Sequence, residues 1–433
     1  MINDTEKILS EAFGLDGKIA ELVKRNESEI KDSLGYLDEI CEYNQYKVIR
    51  AFQKNRVSDA HFGWNTGYGY DDPGREVTER VFADVFGAEA ALVRTQIVNG
   101  THAISLALSG VLRPGDKLIS CSGAPYDSIC PTIGITGKGG LGSLKEFGVS
   151  YEQVELLKCG AIDYETLQDI VTPGTRMAYL QRATGYSERT AITIPQIKEW
   201  IDFIKGIDEG IICMVDNCYG EFLDMAEPVE LGADIMAGSL IKNPGGGLAL
   251  SGGYVTGKKE LVAKVAARLT CPGIGGECGL SFGQNRAMLQ GLFLGPQTVR
   301  GALKGAIICA KVFDSLGFHV NPAWNEPRSD IMETVTLCSK EAMEAFCEGV
   351  QAAAPIDSFV TPEASDMPGY ADRIIMAAGS FVQGSTMELS ADGPIRPPYN
   401  IYFQGGLTYE HSRLGVMMAA QKLLDRGLIK LDN

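Results

Sequence analysis

Apolar positions in residues 1–56 recur at helical spacing. Ile8, Phe13, Ile19, Leu22 and Val23 form one loose stripe, and Leu34, Leu37, Ile40, Val48 and Phe52 form another. They predict a helical N-terminal segment. The period breaks in HFGWNTGYGYDDPGRE, where glycine, aspartate and proline mark a loop. Trp64, Tyr68 and Tyr70 make that loop unusually aromatic for open solvent. Residues 75–86 return to helical spacing, with Val77, Val81, Phe82 and Val85 on one side.

From Ala90 the pattern changes to short apolar strands alternating with helices. AALVR reads as a strand and 101–112 as a helix; PGD then turns into the strand KLISC. VELLK reads as a strand, followed by a helix led by Asp163 that ends before TPGT. RMAYLQRA is the next strand, and 194–207 is a helix with Pro195 in its first turn. IICMVDN, ADIMAGS and LALSGGYVTG complete the series. This rhythm predicts an α/β domain with a mainly parallel, buried sheet. A long helix is expected from near Pro296 to about Leu316. Beyond it, IMETVTLC, IIMAAG, YNIYFQG and a helix at 411–426 predict a smaller C-terminal α+β domain. The expected division is a helical segment 1–60, a large domain 61–300 and a small domain 301–433.

Composition narrows the function classes. The net charge of −16, without a basic run, disfavours a nucleic-acid partner but not a phosphorylated small ligand. The 11 cysteines are scattered without a CxxC pair, and only 4 histidines exist, so no metal site is expected. Reduced cysteines in a cytoplasmic enzyme are the expectation. The polar N-terminus is no secretory signal, and no apolar run reaches membrane-spanning length.

Four segments carry chemistry. GSLIKNPGGG places Lys242 in a glycine-rich turn after a strand, with Ser239 three residues before it. A lysine amine in the right surroundings forms imines; a solvated lysine in a capping loop is the plainer alternative. VDNCYGEF ends an apolar strand on Asp216, where open α/β sheets bind ligands. A carboxylate there needs a cationic or metallic partner, or many donors, unless it merely caps the strand. NGTHA opens a helix with small residues, so the amides of Gly100 and Thr101 and the Thr101 hydroxyl suit an anion, a role compatible with N-capping. SGAPYDS follows KLISC and puts Tyr126 at the same sheet edge, where its ring could stack on a flat heterocycle or pack into the core.

In this order, on successive β–α units, the four segments resemble fold-type-I pyridoxal-phosphate enzymes. VNGTHAI, GAPYDS, GYSER, VDNCYGEF, GSLIKNPGGG, ELSADGP and YFQGGLTYEHSRLG more narrowly resemble one bacterial family, over nearly the whole chain. That family is called cystathionine beta-lyase-like or methionine gamma-lyase-like and is linked by name to aluminium resistance. The resemblance implies the transferase-like fold of these enzymes, with pyridoxal 5'-phosphate held as a Schiff base on Lys242, which also serves as acid and base. It implies that Asp216 meets the ring nitrogen, that Gly100, Thr101 and Ser239 hold the phosphate, and that Tyr126 stacks on the ring. In related lyases a tyrosine and an arginine of a neighbouring subunit also reach the phosphate. The matching loop here offers Tyr68 and Tyr70 without the Tyr-x-Arg pattern. Arg396 and Arg413 are candidates for the substrate carboxylate, Arg396 preferred, and Arg182 for the pocket near the ring hydroxyl.

The implied activity is carbon–sulfur bond elimination from a cystathionine-, cysteine- or methionine-type amino acid after removal of the Cα proton. The implied assembly is a homo-oligomer, expected as a dimer of dimers with active sites at the dimer interface. Other pyridoxal-phosphate chemistry (transamination, retro-aldol cleavage, decarboxylation) and a non-catalytic cofactor-binding relative stay open. A nicotinamide enzyme is disfavoured, because no GxGxxG follows an early strand.

Overall fold

A computed structural model describes residues 4–187, 189–367 and 372–431. Two compact units result. One comprises 42–296 with 328–330; the other comprises the described parts of 1–41, 297–327 and 331–433. The N-terminal helical residues are therefore not a unit of their own: those up to Cys41 group with the C-terminal part of the chain, the rest with the large unit.

The large unit is built on seven strands: β1 (Ala90–Arg94), β2 (Lys117–Ser120), β3 (Ser150–Gln153), β4 (Met177–Gln181), β5 (Ile212–Asp216), β6 (Ile235–Ser239) and β7 (Gly253–Gly257). Their order across the sheet is β1-β7-β6-β5-β4-β2-β3. β3, β2, β4, β5 and β6 run parallel, while β7 is antiparallel to both β6 and β1. Both faces are buried, and alternation divides each strand between two cores. Met177 and Tyr179 of β4 join Ile212 and Met214 of β5 on the face covered by the helices Gly100–Val111 and Lys259–Leu269. Ala178, Leu180, Cys213 and Val215 face the other way, against Ile197, Trp200 and Ile204 of the helix Ile194–Ile207.

Three boundaries differ from expectation. In LALSGGYVTG the strand is only Gly253–Gly257, preceded by a turn. VELLK is not a strand; the strand is β3, just before it. As an edge strand it has mostly exposed side chains, so it shows no apolar period. The long helix spans Asn285–Ser315 with Pro296 inside it. Its start is disguised by Gly291 and Gly295. A Cβ on Gly291 would lie 2.1 Å from the Gly245 carbonyl oxygen, so close backbone approach demands glycine there.

The second unit holds a five-stranded antiparallel sheet, with strands β8 (His319–Asn321), β9 (Met332–Thr336), β10 (Ile374–Ala377), β11 (Ser390–Pro394) and β12 (Asn400–Gln404). Their order is β10-β11-β12-β9-β8. The helices Lys340–Ala352 and Tyr409–Asp425 also belong to this unit. No helix among the described residues is long and apolar enough to cross a membrane.

Candidate active site

Strand register brings the predicted polar residues to one edge. β4 pairs Gln181 with Asp216, and β5 pairs Asp216 with Ala237, two residues before Ser239. Gln181, Asp216 and Ser239 thus end adjacent parallel strands on the face shared with the helix Gly100–Val111. Asn99 caps that helix by accepting from the His102 amide at 2.8 Å, and its carbonyl takes the Ala103 amide. The cap leaves the amides of Gly100 and Thr101 beyond the reach of any helical carbonyl. Gly100 lies so close that a Cβ there would sit 3.2 Å from Ser239 Cβ and 3.1 Å from Cys218 Sγ. Ser239 is 1 % exposed, and its Oγ has no hydrogen-bond partner among the described residues. A buried hydroxyl beside a helix N-terminus is an incomplete anion cup. Thr101 Oγ1 is 2.7 Å from Ser128 Oγ at the same mouth.

Asp216 is buried, which pushes its pKa up. Opposing this, the Cys218 amide donates to Oδ1 at 3.1 Å, Lys242 lies nearby, and Tyr179 Oη donates to Oδ2 at 3.2 Å. Lys242 is held in the turn that follows β6, with Nζ 3.9 Å from the centre of the Tyr219 ring. Burial works against its ammonium, but Cys218, Tyr219, Asp216 and Glu221 outweigh that and hold the lysine pKa above its ordinary value. Asn243 ties the two turns together, donating to the carbonyls of Tyr219 at 3.0 Å and Glu221 at 2.9 Å.

Two buried acids support this turn from within. Tyr254 Oη donates to Glu221 Oε1 at 2.6 Å, in space that a Cβ on Gly238 would invade. Burial pushes Glu221 to about 8 and Glu227 to about 7. Both pKa values exceed those of an unfolded chain, so between pH 4.5 and 8 the native state holds more protons and stability falls as pH rises. Glu221→Gln should therefore gain stability relative to the parent as pH rises from 5 to 8, by up to about 1.4 kcal/mol per pH unit. Urea midpoints measured across that range test this; parallel curves for the two proteins would refute it.

The other expected residues fall in several places. Tyr126 is half-buried at the same edge; its amide donates to Gln181 Oε1 at 2.7 Å, and its ring centroid lies 6.2 Å from that of Tyr186. Tyr68 and Tyr70 are 73 % and 60 % exposed on a loop that is nonetheless fixed. Arg75 donates to the carbonyls of Gly69, Gly279 and Glu277, and Arg94 to those of Cys278 and Gly276.

Arg182 corrects an expectation. It continues β4 one step past Gln181, so its side chain turns to the opposite face. Its guanidinium is buried and donates to Gly220 O (2.6 Å), Asn217 Oδ1 (3.2 Å) and Asp224 Oδ2 (2.6 Å). It braces the turn after Asp216 and is not free to enter a pocket. In the second unit, Arg396 pairs with Asp372 at 2.9 Å and Arg413 with Glu27 at 3.0 Å.

Sequence reasoning missed Tyr179, Tyr219, Asn243 and Arg189. Arg189, in GYSER, donates to the carbonyls of Gln181, Arg182 and Ala183. Burial lowers it to about 10 against the opposing charges of Asp330, Tyr179 and Asp216, so it stays cationic at neutral pH. Tyr179 had a readable signal, since it stands two residues before the end of the strand beside Asp216.

The sequence pattern of the methionine gamma-lyase family matches residues 19–424. A crystal structure of a carbon–sulfur lyase involved in aluminium resistance, from Clostridium novyi, superposes with a TM-score of 0.94 at 45% identity, covering 98% of this chain and 100% of that one. The uncharacterized protein YnbB of Bacillus subtilis is 48% identical over 94% of this chain and 98% of its own length. L-Methionine gamma-lyase of Pseudomonas putida is 26% identical over 47% of this chain and 46% of its own.

Proposed function

Since this chain belongs to the methionine gamma-lyase family, we propose that it is a pyridoxal-phosphate-dependent carbon–sulfur lyase acting on a sulfur-containing amino acid. The observation that carries this reading is the convergence of the Gly100 and Thr101 amides, the orphaned Ser239 hydroxyl, Asp216 and Lys242 at one sheet edge. These residues fit the cofactor. The helix N-terminus and Ser239 suit its phosphate, Asp216 its ring nitrogen, Tyr126 its ring face and Lys242 its aldehyde carbon. When bound, pyridoxal phosphate supplies an electron-withdrawing ring conjugated to the substrate amine, which acidifies the Cα–H.

The chain's own residues do the rest. Tyr179 and the Cys218 amide hold the Asp216 carboxyl in place, where it would meet the ring nitrogen. Lys242, when its nitrogen is not holding the cofactor, would accept the Cα proton at Nζ. Breaking the C–S bond would release hydrogen sulfide from cysteine or a thiol from a thioether substrate, and one water would then hydrolyse the remainder to ammonia and a 2-keto acid. Arg396 is the proposed partner of the substrate carboxylate, being 58% exposed in its pair with Asp372, whereas Arg413 is 21% exposed against Glu27. Incubation of the holoenzyme with cysteine, cystathionine, methionine and alanine tests the reading. A 2-keto acid and ammonia are expected from at least one sulfur amino acid and not from alanine; pyridoxamine phosphate as the sole product would refute the lyase assignment.

The loop bearing Trp64, Tyr68 and Tyr70 is proposed to dock on a second copy of the chain. A pre-ordered aromatic surface, held by Arg75 at the Gly69 carbonyl and by the Gly279 amide at the Tyr68 carbonyl, is a low-entropy interface element. Sedimentation should show a dimer or a dimer of dimers; a monomer with full cofactor occupancy would sink this.

A further inference from the structure

Tyr219 lies in the turn between Asp216 and Lys242's neighbour Glu221, and its backbone is in the left-handed region at φ 67°. A bulky residue there costs free energy, and such strain persists where surrounding structure insists on it. Here the insistence is visible. Asn243 grips the Tyr219 carbonyl at 3.0 Å, and Tyr219 is buried. The reward is the placement of its ring, whose centre lies 3.9 Å from Lys242 Nζ.

We propose that Tyr219 is a positioning residue: its ring face seats the Lys242 nitrogen whenever that nitrogen is cationic, including the ammonium formed as the Cα proton is taken up. In that step the Cα–H bond breaks, the proton joins the Nζ lone pair, and the bonding electrons stay with the substrate carbon. Charge grows on Nζ only as the proton arrives, so an aromatic face at that point favours the transition state over the starting state. Asp216, Cys218 and Glu221 also face this nitrogen. Of these, Asp216 lies at the strand end, and Glu221, pushed up to about 8 by burial, is largely protonated at neutral pH; the ring adds a seat of defined geometry.

The inference rests on the lysine-linked cofactor of the proposed function, and the test separates the two. The holoenzyme's visible spectrum is titrated with pH, and Cα hydrogen–deuterium exchange of a bound amino acid is followed in the same samples. Tyr219→Leu should lower the spectral midpoint by roughly 0.5–1 pH unit and slow exchange roughly 5- to 30-fold. Tyr219→Phe should keep both near the parent values. Mono-, di- and trifluorinated phenylalanines at this position preserve ring shape while draining the face, and should lower the midpoint stepwise. That series decides the matter if the leucine variant fails to fold. A midpoint indifferent to fluorination overturns the seating role, as does a phenylalanine variant that behaves like leucine. A parent protein with no visible band from lysine-linked cofactor overturns the proposed function instead.

Discussion

Lys242→Ala should abolish covalent attachment of pyridoxal phosphate and lower turnover by at least about 1,000-fold. Two roles fall on this one nitrogen, the cofactor link and the proton transfer, and its neighbours among the described residues do not substitute for both. Its neighbours Asp216, Cys218 and Glu221 carry no amine, and Tyr219 offers a ring face. The variant should still fold, because the surrounding turn is held by Asn243 and by glycines packed on one another, not by the lysine. The phosphate cup of Gly100, Thr101 and Ser239 is also independent of it, so weak, non-covalent cofactor binding should persist. Borohydride reduction followed by peptide mass analysis should label Lys242 in the parent and no lysine in the variant. A label elsewhere in the parent, or undiminished turnover in Lys242→Ala, would sink the assignment.

Asp216→Asn should slow Cα-proton removal roughly 100- to 1,000-fold while weakening cofactor binding only about 10-fold. Burial raises the Asp216 pKa, and the Cys218 amide and the Tyr179 hydroxyl, both donating to it, oppose that rise. Asparagine preserves the size and much of the hydrogen bonding, so the strand end should stay in place. It removes the negative charge that stabilises a protonated ring nitrogen, and that loss is felt most as the Cα–H bond breaks. Cα hydrogen–deuterium exchange compared with cofactor affinity in the same variant reads the split. Equal losses in both would reduce Asp216 to a binding residue, and unchanged exchange would assign the ring nitrogen to another group. Tyr179→Phe offers a graded companion, since it removes one of the donors and leaves the charge.

Much of this was legible along the chain because short-range rules govern it. β1 runs Ala90–Arg94, the segment whose apolar run marks it as a strand, and the helix opening at Gly100 follows from the cap that Asn99 makes. β5 and β6 end on Asp216 and Ser239 as their apolar runs indicate. The residues proposed to carry the chemistry follow β1, β2, β5 and β6 in chain order, and the carboxyl ends of these strands share one edge of the sheet. Elements that lack a local signature were lost. β3 is an exposed edge strand, and β11 includes Gly393 and ends at Pro394, residues that read as a turn.

By itself, the sequence determined which strand ends and which helix cap present the residues proposed to carry the chemistry, since alternation and capping act over a few residues and need no distant partner. Only the tertiary structure decided what surrounds those residues. Register between β4 and β5 put Tyr179 on Asp216 and turned Arg182 to the opposite face, into the turn it braces. The grip of Asn243 on a left-handed turn brought Tyr219 beneath Lys242, although 23 positions separate them in the chain. Such contacts depend on packing between segments far apart in sequence, and no local period encodes which segment will arrive or which way its side chains will point.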